Sequence, residues 1–453
     1  MSEPPRRLDW RYYFHNALLI LCAPIIGAGF AIRLALIRRI REDFLQRMGR
    51  YPDELRRLSE KGDPVIWIHA VSVGEVVTAA SILGELRRLA PLAHIVLSTT
   101  TSTGRETAEK RGLEVDALVY CPYDAPWAVR RAMDAIRPDL LVLVDTELWP
   151  NLIALAYRRG ARIAVANARF SDKAVKRARI VRWHYRWMLS LVDAVLAQSS
   201  LDAERYIDFG APRERTEVTG SVKFDEEFPE VPPAAAAKLR QDLGLAPDLP
   251  VWVVGSSREG EEEHVLDAFH ELRMGQHHLQ LIIAPRHPER GAEVERIVRD
   301  RGYHPIRRTE LQKAAQSGGP PPAPSDRPEE SVVILDTIGE LARVYAIADV
   351  VTVGGSFVRW GGHNMLQPMA QGKPVIFGPY THNFRDIVQV AKQAEAVIEV
   401  SGPGELAGAV ARVLKSEGER DLLSLRALKV VRENRGASAR TAGRLLELLK
   451  RRP

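Results

Sequence analysis

The chain has 453 residues, of which 45% are apolar and 27% charged, and its net charge is +6. This composition excludes a disordered or fibrous protein, and the length suffices for two domains with cores of their own. The two cysteines, Cys22 and Cys121, lie far apart in sequence, which excludes a disulfide framework and fits a reducing compartment. The positive excess is compatible with an ordinary basic surface or with attraction to an anionic membrane or substrate.

The N-terminus contains an uncharged run from Tyr12 to Ile32, flanked by Arg11 and Arg33. Its 21 residues are just enough for a helix that spans a bilayer. A cleaved signal peptide and a buried or interfacial helix are the alternatives, and the arginines that follow the run disfavour the signal peptide. Because arginines are denser after the run than before it, we predict a membrane anchor with the rest of the chain in the cytoplasm.

Beyond this run, short apolar segments alternate with helical stretches, which is typical of βαβ units and parallel sheets. The predicted strands of the first half are residues 65–69, 95–98, 117–120, 140–144, 161–166 and 193–197. Those of the second half are residues 251–254, 279–284, 332–335, 350–353 and 374–377. Between the two halves, residues 224–237 are rich in acids, proline and alanine, and this composition predicts a linker.

The pattern predicts an α/β protein with two open, doubly wound domains that face a cleft. The predicted segments are an anchor with its basic flank (1–45), a first domain (46–226), a linker (227–238), a second domain (239–425) and a C-terminal helix (426–453). A proline-rich insertion, residues 317–330, is predicted to be a disordered loop. In open α/β sheets ligands bind at the carboxyl ends of strands, so the loops at those ends are the candidate sites.

Three loops of the first domain carry candidate catalytic side chains. Glu75 opens a helix after the first strand, where a carboxylate either complements the helix N-terminus or acts as a general base. At that position the helix would keep Glu75 ionised. Glu147 follows the fourth strand, either as part of a helix start at Pro150 or as a carboxylate that shapes an acceptor site. Lys223 is either a surface lysine or a cation for a phosphate or sugar carboxylate.

Four turns that bear glycine or arginine follow strands of the second domain, at residues 255–260, 285–290, 336–340 and 354–364. Such turns let the backbone approach a ligand, and helix N-termini favour phosphate. Arg286 could pair with that phosphate. The turns together predict a nucleotide site, although the sequence has neither a Walker A lysine motif nor GxGxxG. No set of residues has metal-ligand spacing around His363 or His382, so no metal site is predicted.

Ten motifs, in order, match one family between about Trp67 and about Asp386. They read HAVSVGE, TELWPN, NARFSD, LAQS, TG-x-x-KFD, PRHPER, DT-x-GEL, VGGS, GGHN and FGP-x-T-x-NF. With these motifs the chain resembles the 3-deoxy-D-manno-octulosonic acid (Kdo) transferases of lipopolysaccharide synthesis. The resemblance implies a GT-B fold with two Rossmann-like domains and an N-terminal membrane anchor. The first domain would bind the acceptor and the second the CMP-sugar.

The resemblance also implies roles for individual residues. Glu75 is the implied proton acceptor, and Glu147 and Lys223 are the implied pair that stabilises the transition state. The implied CMP contacts lie in three loops: Pro285, Arg286, Ile338, Gly339, Glu340, Asn364, Met365, Leu366 and Gln367. The implied reaction is the inverting transfer of Kdo from CMP-Kdo to a lipid A precursor, lipid IVA, with release of CMP. It would occur at the cytoplasmic side of the inner membrane, without a metal, a cofactor or a nucleic-acid partner.

The chain departs from the family pattern in the third of these loops. The family usually has Asn-Pro-Leu-Glu, whereas this chain has Asn-Met-Leu-Gln from Asn364 to Gln367. A neutral amide thus stands where a ribose hydroxyl is expected, and it accepts a hydrogen bond without charge. Two alternatives remain, a UDP-sugar 2-epimerase of similar fold and an inactive membrane-associated nucleotide binder. Binding of CMP rather than UDP would argue against the first, and the effect of Glu at position 367 would test the second.

Overall fold

The computed structural model describes residues 7–21, 44–60, 62–170, 172–228, 230–317 and 330–450. Contacts within the chain define two compact units. The first comprises Met1–Glu226 together with Arg435–Pro453, and the second comprises Glu227–Asn434. Each unit contains one seven-stranded sheet whose strands all pair in parallel. The two sheets and their helices confirm the predicted α/β class with two Rossmann-like domains.

The sheet of the first unit has the strand order β3-β2-β1-β4-β5-β6-β7. Its strands are β1 (Val65–His69), β2 (His94–Thr99), β3 (Ala117–Tyr120), β4 (Leu140–Val144), β5 (Arg162–Ala168), β6 (Ala194–Ala197) and β7 (Thr216–Val218). Every residue of β1 and β4 is buried, as expected for central strands covered by helices on both faces. The order reverses between β1 and β4, so the loops after these two strands border the crevice where such sheets bind ligands.

Helices cover both faces of the first sheet. Residues 10–21 form a further helical segment. The helices are α1 (Phe44–Arg47), α2 (Glu54–Glu60), α3 (Val73–Leu89), α4 (Ser102–Lys110), α5 (Pro126–Ile136), α6 (Pro150–Arg158), α7 (Asp172–Ala178), α8 (Arg182–Ser190) and α9 (Ser200–Asp208). Two apolar clusters, one on each face, form the core, with Trp67 in one and Ile66 in the other. Neighbouring strand residues point to opposite faces, so alternate side chains of β1 enter different clusters.

The sheet of the second unit has the order β10-β11-β9-β8-β12-β13-β14. Its strands are β8 (Val251–Ser257), β9 (Gln280–Pro285), β10 (His304–Arg307), β11 (Ser331–Ile334), β12 (Val350–Val353), β13 (Val375–Phe377) and β14 (Ile398–Glu399). Its helices are α10 (Pro233–Asp242), α11 (Glu261–Met274), α12 (Gly291–Asp300), α13 (Arg308–Ser317), α14 (Leu341–Val344), α15 (Leu366–Ala370), α16 (Arg385–Gln393), α17 (Leu406–Lys415) and α18 (Glu417–Asn434). The final helix, α19 (Ala437–Lys450), belongs to the first unit.

The structure differs from the sequence predictions in the linker, in three short strands and in the C-terminal helix. Helix α10 begins within the predicted linker, because Pro233 is accommodated at a helix start and the following alanines favour helix. The strands β7, β10 and β14 were not predicted. The predicted C-terminal helix is two helices, α18 and α19, separated at Arg435 and Gly436.

Two predictions concern segments that the structure describes in part. Among the described residues, no helix combines the length and apolar character needed to cross a membrane. Of the predicted anchor, residues 12–32, the structure describes residues 12–21, which are helical. Residues 22–32 lie outside the described residues. Most of the predicted disordered insertion, residues 318–329, likewise lies outside them.

Candidate functional site

The first unit brings the loops of the three predicted catalytic residues toward one edge of its sheet. Glu75 lies in the first turn of α3, directly after β1, and Glu147 follows β4. Because β1 and β4 pair in parallel, their carboxyl ends lie side by side. Lys223 lies in a 3-10 turn, Val222–Asp225, that contacts α3. The turn that carries Lys223 therefore packs against the helix that carries Glu75.

The carboxylate of Glu75 forms two hydrogen bonds at the start of its own helix, α3. Its Oε2 accepts the N–H of Val71 at 2.6 Å, and its Oε1 accepts the hydroxyl of Ser72 at 3.1 Å. Burial and then the charge of Glu147 raise the pKa of Glu75 to about 7. The prediction that the helix N-terminus keeps this carboxylate ionised is wrong, because desolvation and Glu147 outweigh the hydrogen bonds. A carboxylate that titrates near neutrality is matched to general-base work.

Glu147 is oriented by a tryptophan two residues further along the chain. The indole N–H of Trp149 donates to Oε2 of Glu147 at 3.0 Å. Burial raises the pKa of Glu147, although the bond from Trp149 opposes that rise. The Trp149 ring packs edge-on against His69, with ring centroids 5.8 Å apart. His69 is fully buried at the end of β1, so Trp149 rests on a rigid part of the sheet.

Asn167 connects the loop of Glu147 with the turn of Lys223. Its side-chain amide donates to Oδ1 of Asp145 at 2.6 Å, and its side-chain oxygen accepts the N–H of Val222 at 3.2 Å. Asn167 is fully buried and has a φ of 54°, while Asp145 has a φ of 63°. Both residues hold a left-handed conformation that Asn and Asp tolerate better than most side chains do. The predictions missed this role, because the partners of Asn167 lie 22 and 55 residues away in sequence.

The predicted CMP loops follow strands β9, β11 and β12 of the second unit, and these strands share one direction. Pro285 ends β9 and is buried, whereas Arg286 directly after it is exposed. Ile338 is 88% exposed, and Gly339 has a φ of 88°, which glycine adopts without strain. These loops therefore present the Arg286 and Ile338 side chains at the carboxyl edge of the sheet.

The third predicted loop, residues 364–367, contains two buried and two partly exposed residues. The side-chain oxygen of Asn364 accepts the N–H of Leu366 at 2.9 Å and fixes the turn before α15. Met365 and Leu366 are both buried, so neither presents its side chain to a ligand. Gln367 is half-buried in the first turn of α15. Of these four residues, Asn364 and Gln367 are the ones whose side chains are accessible.

Glu340 is already paired within the second unit. Its carboxylate accepts Arg308 at 2.9 Å and also hydrogen bonds to Thr337 and Gln312. Burial alone would raise the pKa of Glu340, but the bonds from Arg308 and Thr337 hold it below its ordinary value. The pair lines a cavity of about 290 Å³ together with Lys238 and other residues of α10. If the Glu340 carboxylate contacts a nucleotide, it therefore does so while also bonded to Arg308.

Arg258 is a further residue at this edge that the predictions did not select. It follows β8 directly, and its guanidinium contacts His287 and His363. These histidines adjoin the predicted ligand residues Arg286 and Asn364 in sequence. One arginine in a glycine-serine turn gives no distinctive sequence signal, because its partners come from other loops. Among the described residues, no group of three or more His, Cys, Asp or Glu side chains is placed to hold a metal ion.

Comparison with known proteins gives consistent similarities. Residues 42–226 match the family model described as 3-deoxy-D-manno-octulosonic-acid transferase (kdotransferase). A 3-deoxy-D-manno-octulosonic acid transferase of Haemophilus influenzae is 32% identical over 444 residues, which cover 97% of this chain and 98% of that protein.

Two solved structures share the fold at low sequence identity. A glycosyltransferase of Rickettsia africae superposes with a TM-score of 0.57 at 12% identity, covering 86% of this chain and 100% of that chain. A UDP-GlcNAc 2-epimerase of Neisseria meningitidis superposes with a TM-score of 0.55 at 11% identity, with the same coverage of both chains. Similarity at this level shows a shared two-domain fold, which both transferases and epimerases use.

Proposed function

The chain belongs to the Kdo transferase family, and we propose that it transfers Kdo from CMP-Kdo to the lipid A precursor lipid IVA with inversion. The observation that carries the proposal is the state of Glu75. Its carboxylate lies in the first turn of α3, directly after β1, and burial and then the charge of Glu147 raise its pKa to about 7. A group with this pKa accepts a proton from a sugar hydroxyl and releases it again at neutral pH.

The proposed reaction is a single displacement. Glu75 takes the proton of an acceptor hydroxyl while that oxygen forms a bond to the anomeric carbon of Kdo. The bond from this carbon to the phosphate oxygen breaks at the same time, and CMP leaves with the bonding electrons. Attack opposite to the leaving phosphate inverts the anomeric centre. Glu147 and Lys223 are proposed to stabilise the charges that develop in the transition state.

The three loops of the second unit are proposed to hold the CMP portion of the donor. Arg286 is suited to this role, because it is exposed directly after β9 and a guanidinium binds phosphate through two parallel hydrogen bonds. The loop at Gly339 offers backbone that a ligand can approach closely. No metal is required in this scheme, since the phosphate of CMP leaves from a site with cationic side chains.

We also propose that the chain acts at the cytoplasmic face of the inner membrane, attached through residues 12–32. Within the described part of this region, Tyr13, Phe14 and Leu18 are about half or more exposed, and Leu21 is 76% exposed. Exposed aromatic and aliphatic side chains beside arginines are typical of the membrane interface. Flotation with liposomes tests this proposal, and Leu18→Arg with Leu21→Arg should weaken co-flotation.

The transfer itself is tested by mass spectrometry of the product formed from CMP-Kdo and a tetra-acylated lipid A precursor. The product should gain the mass of Kdo, and CMP should appear in equal amount for each Kdo added. Glu75→Gln should lose roughly 10²–10⁴-fold in rate and still bind CMP, because loss of a general base costs this much. Glu85→Gln, on the same helix α3, is the matched control and should transfer at the parent rate.

The alternative function is that of an epimerase of the same fold. The identity of the bound nucleotide distinguishes the two functions. CMP should raise the thermal unfolding temperature and UDP should not. Stabilisation by UDP alone, together with no mass gain on the lipid, would contradict the proposed transfer. Glu75→Gln retaining most of the transfer rate would instead contradict only the choice of base.

A further inference from the structure

Arg258 occupies an unusual environment at the carboxyl end of β8. Its guanidinium carbon lies 3.8 Å from the centroid of the Trp360 ring, which is a close cation–π contact. Its Nε donates to Nε2 of His363 at 3.2 Å, and its Nη1 lies 3.0 Å from Nε2 of His287. The guanidinium is therefore held by an indole and two imidazoles.

A buried carboxylate organises the backbone around this arginine. Glu261, 1% exposed, accepts the N–H groups of Arg258 at 2.8 Å, Gly355 at 2.6 Å and Phe357 at 2.9 Å. Both of its oxygens are thus occupied by backbone donors. A Cβ on Gly355 would lie 2.8 Å from the His363 ring, so this glycine allows the imidazole its position. These bonds lie within the chain itself and preorganise the backbone around Arg258, which lowers the cost of binding a ligand there.

Two further arginines, Arg286 and Arg290, act on the charge of Arg258, and the carboxylate of Glu261 opposes them. Burial lowers the pKa of Arg258, and the charge of Arg286 lowers it further. Burial and then the charges of Arg258 and Arg286 lower the pKa of His363 to about 4. His363 is therefore neutral at physiological pH, with Nε2 accepting from Arg258 and the proton on Nδ1. A site that contains two guanidinium groups and a neutral donor imidazole is suited to an oxyanion.

We propose that Arg258, with Arg286 and His363, binds an oxyanion of the sugar-nucleotide donor and makes that anion a condition of donor binding. The inference rests on the proposed function only for the identity of the donor. CMP-Kdo offers two oxyanions, the phosphate and the sugar carboxylate, and a guanidinium binds either through the same parallel bonds. The opposing interpretation is that Arg258 only clamps the Trp360 loop against β8.

Isothermal titration of Arg258→Gln with cytidine, CMP and CMP-Kdo tests the proposal. If Arg258 binds the phosphate, Arg258→Gln should bind CMP and CMP-Kdo about 10-fold or more weakly than the parent does. Cytidine should bind to the variant and to the parent with the same affinity. A bound carboxylate predicts the same loss for CMP-Kdo alone. Either result supports the anion site and identifies its ligand. If all three ligands keep the parent affinity, Arg258 is only a clamp and the proposal is overturned.

Arg299→Gln is the matched control, because Arg299 lies on the exposed surface of α12 and pairs with Glu295. It should leave all three affinities unchanged. Thermal unfolding shows whether Arg258→Gln is folded. If it is not, Arg258→Lys takes its place, since lysine keeps the charge without the planar fork. Parent affinities for all three ligands in Arg258→Lys would then overturn the proposal.

A second measurement separates this proposal from the proposed function. Inorganic phosphate should move the histidine ring resonance that is lost in His363→Gln, and the shift should vanish in Arg258→Gln. If the parent binds neither CMP nor CMP-Kdo, the proposed donor is wrong, but this titration still tests the oxyanion site. The absence of a phosphate-dependent shift in the parent would overturn the site itself.

Discussion

At the scale of single residues, Glu75 combines two roles that the sequence analysis treated as alternatives. Its carboxylate accepts bonds from the Val71 N–H and the Ser72 hydroxyl, so it holds the segment that leads into α3. Its pKa is nevertheless about 7, because burial and Glu147 disfavour the charged form. These bonds fix the position of the carboxylate, and the environment sets its basicity. The sequence predicted the residue, but its titration depends on neighbours that only the fold brings together.

The raised pKa predicts how transfer depends on pH. A general base works in its deprotonated form, so kcat should fall as the pH drops below about 7, rather than below about 4.5. Glu147→Gln removes the second cause of the shift and should move the acidic limb to lower pH. The limb should remain above that of an unperturbed carboxylate, since burial persists. The measurement is kcat against pH, normalised to the plateau of each variant. An unshifted limb in Glu147→Gln would show that these carboxylates do not interact.

Gln367 is the residue where this chain departs most from its family pattern. It lies half-buried in the first turn of α15, where a carboxylate is favourable. Gln367→Glu replaces a neutral acceptor by a charged one, which forms stronger hydrogen bonds with a hydroxyl. We expect CMP affinity to rise by roughly 3–10-fold, from the difference between neutral and charged bonds. Titration calorimetry measures this gain.

The control for this change is Gln393→Glu, which introduces the same charge at an exposed position of α16. It should leave CMP affinity at the parent value. A drop in affinity for Gln367→Glu would contradict the proposed ribose contact, because the added charge would then face another anion. Equal gains in both variants would indicate a general effect of net charge.

At the scale of elements, the central strands were predicted from the sequence, but of the four edge strands only β3 was. The unpredicted strands β7, β10 and β14 each lie at an edge of a sheet. Their sequences, TEV, HPIR and IE, are short and partly polar, and only Ile306 among them is buried. An edge strand pairs on one side and needs no continuous apolar run. Strands β1 and β4 are buried along their whole length, which explains why their apolar runs identified them.

The loops of the candidate site were predictable as positions but not as a connected assembly. Glycines and acids after strands indicated where ligands bind, yet Asn167 and Arg258 act through partners far away in sequence. The bond from Arg258 to His363 joins residues 105 positions apart. No local pattern contains such a relationship, because it depends on how parallel strands are ordered in the sheet. For this reason the sequence predicted the loops that carry the site and missed the residues that hold those loops together.

Asn167 allows this connection between elements to be tested. Asn167→Ala removes the bonds to Asp145 and to the N–H of Val222, which orient the loops of Glu147 and Lys223. We expect kcat to fall by about 10²-fold, since a displacement of about 1 Å of catalytic groups costs this much. CMP affinity should stay at the parent value, because the proposed CMP loops lie in the second unit. Steady-state kinetics and calorimetry separate the two effects.

Two further variants show whether Asn167 orients these loops or only fills space. Asn167→Asp keeps the acceptor for Val222 but places a carboxylate against Asp145, so kcat should fall here too. Asn434→Ala removes an asparagine side chain of α18 that donates to the carbonyl of Val430 in the same helix, and this variant should transfer at the parent rate. A loss of thermal stability in Asn167→Ala without a loss of kcat would contradict the orienting role.

At the scale of the whole molecule, the first unit is formed by two separate segments of the chain. The chain leaves this unit after Glu226 and returns to it at Arg435, so α19 completes the first unit. The carboxylate of Asp225 accepts the N–H groups of Gly436 and Ser438 and thereby caps this helix. The leucines of α19 predicted a helix, but an amphipathic stripe does not identify the surface that it covers. The chain must therefore be synthesised to its last helix before the core of the first unit is complete.

Leu445 tests this dependence. Its side chain is fully buried in the core cluster that contains Ile66 and Val142, and α19 packs along α3. Leu445→Ala should lower the free energy of unfolding by about 2–5 kcal/mol, through lost burial and the cavity that remains. Urea unfolding followed by tryptophan fluorescence measures the loss. Leu425→Ala, at a position 65% exposed on α18, is the matched control and should change stability by less than about 0.5 kcal/mol.

The effect of Leu445→Ala on ligands distinguishes the two units. At urea concentrations where the variant is still folded, CMP should bind with the parent affinity, because α19 is not part of the unit that carries the proposed CMP loops. Transfer should be lost at lower urea than in the parent, since Glu75 lies on the helix that α19 covers. Loss of CMP binding in step with transfer would contradict this division, and it would show that the two units unfold as one.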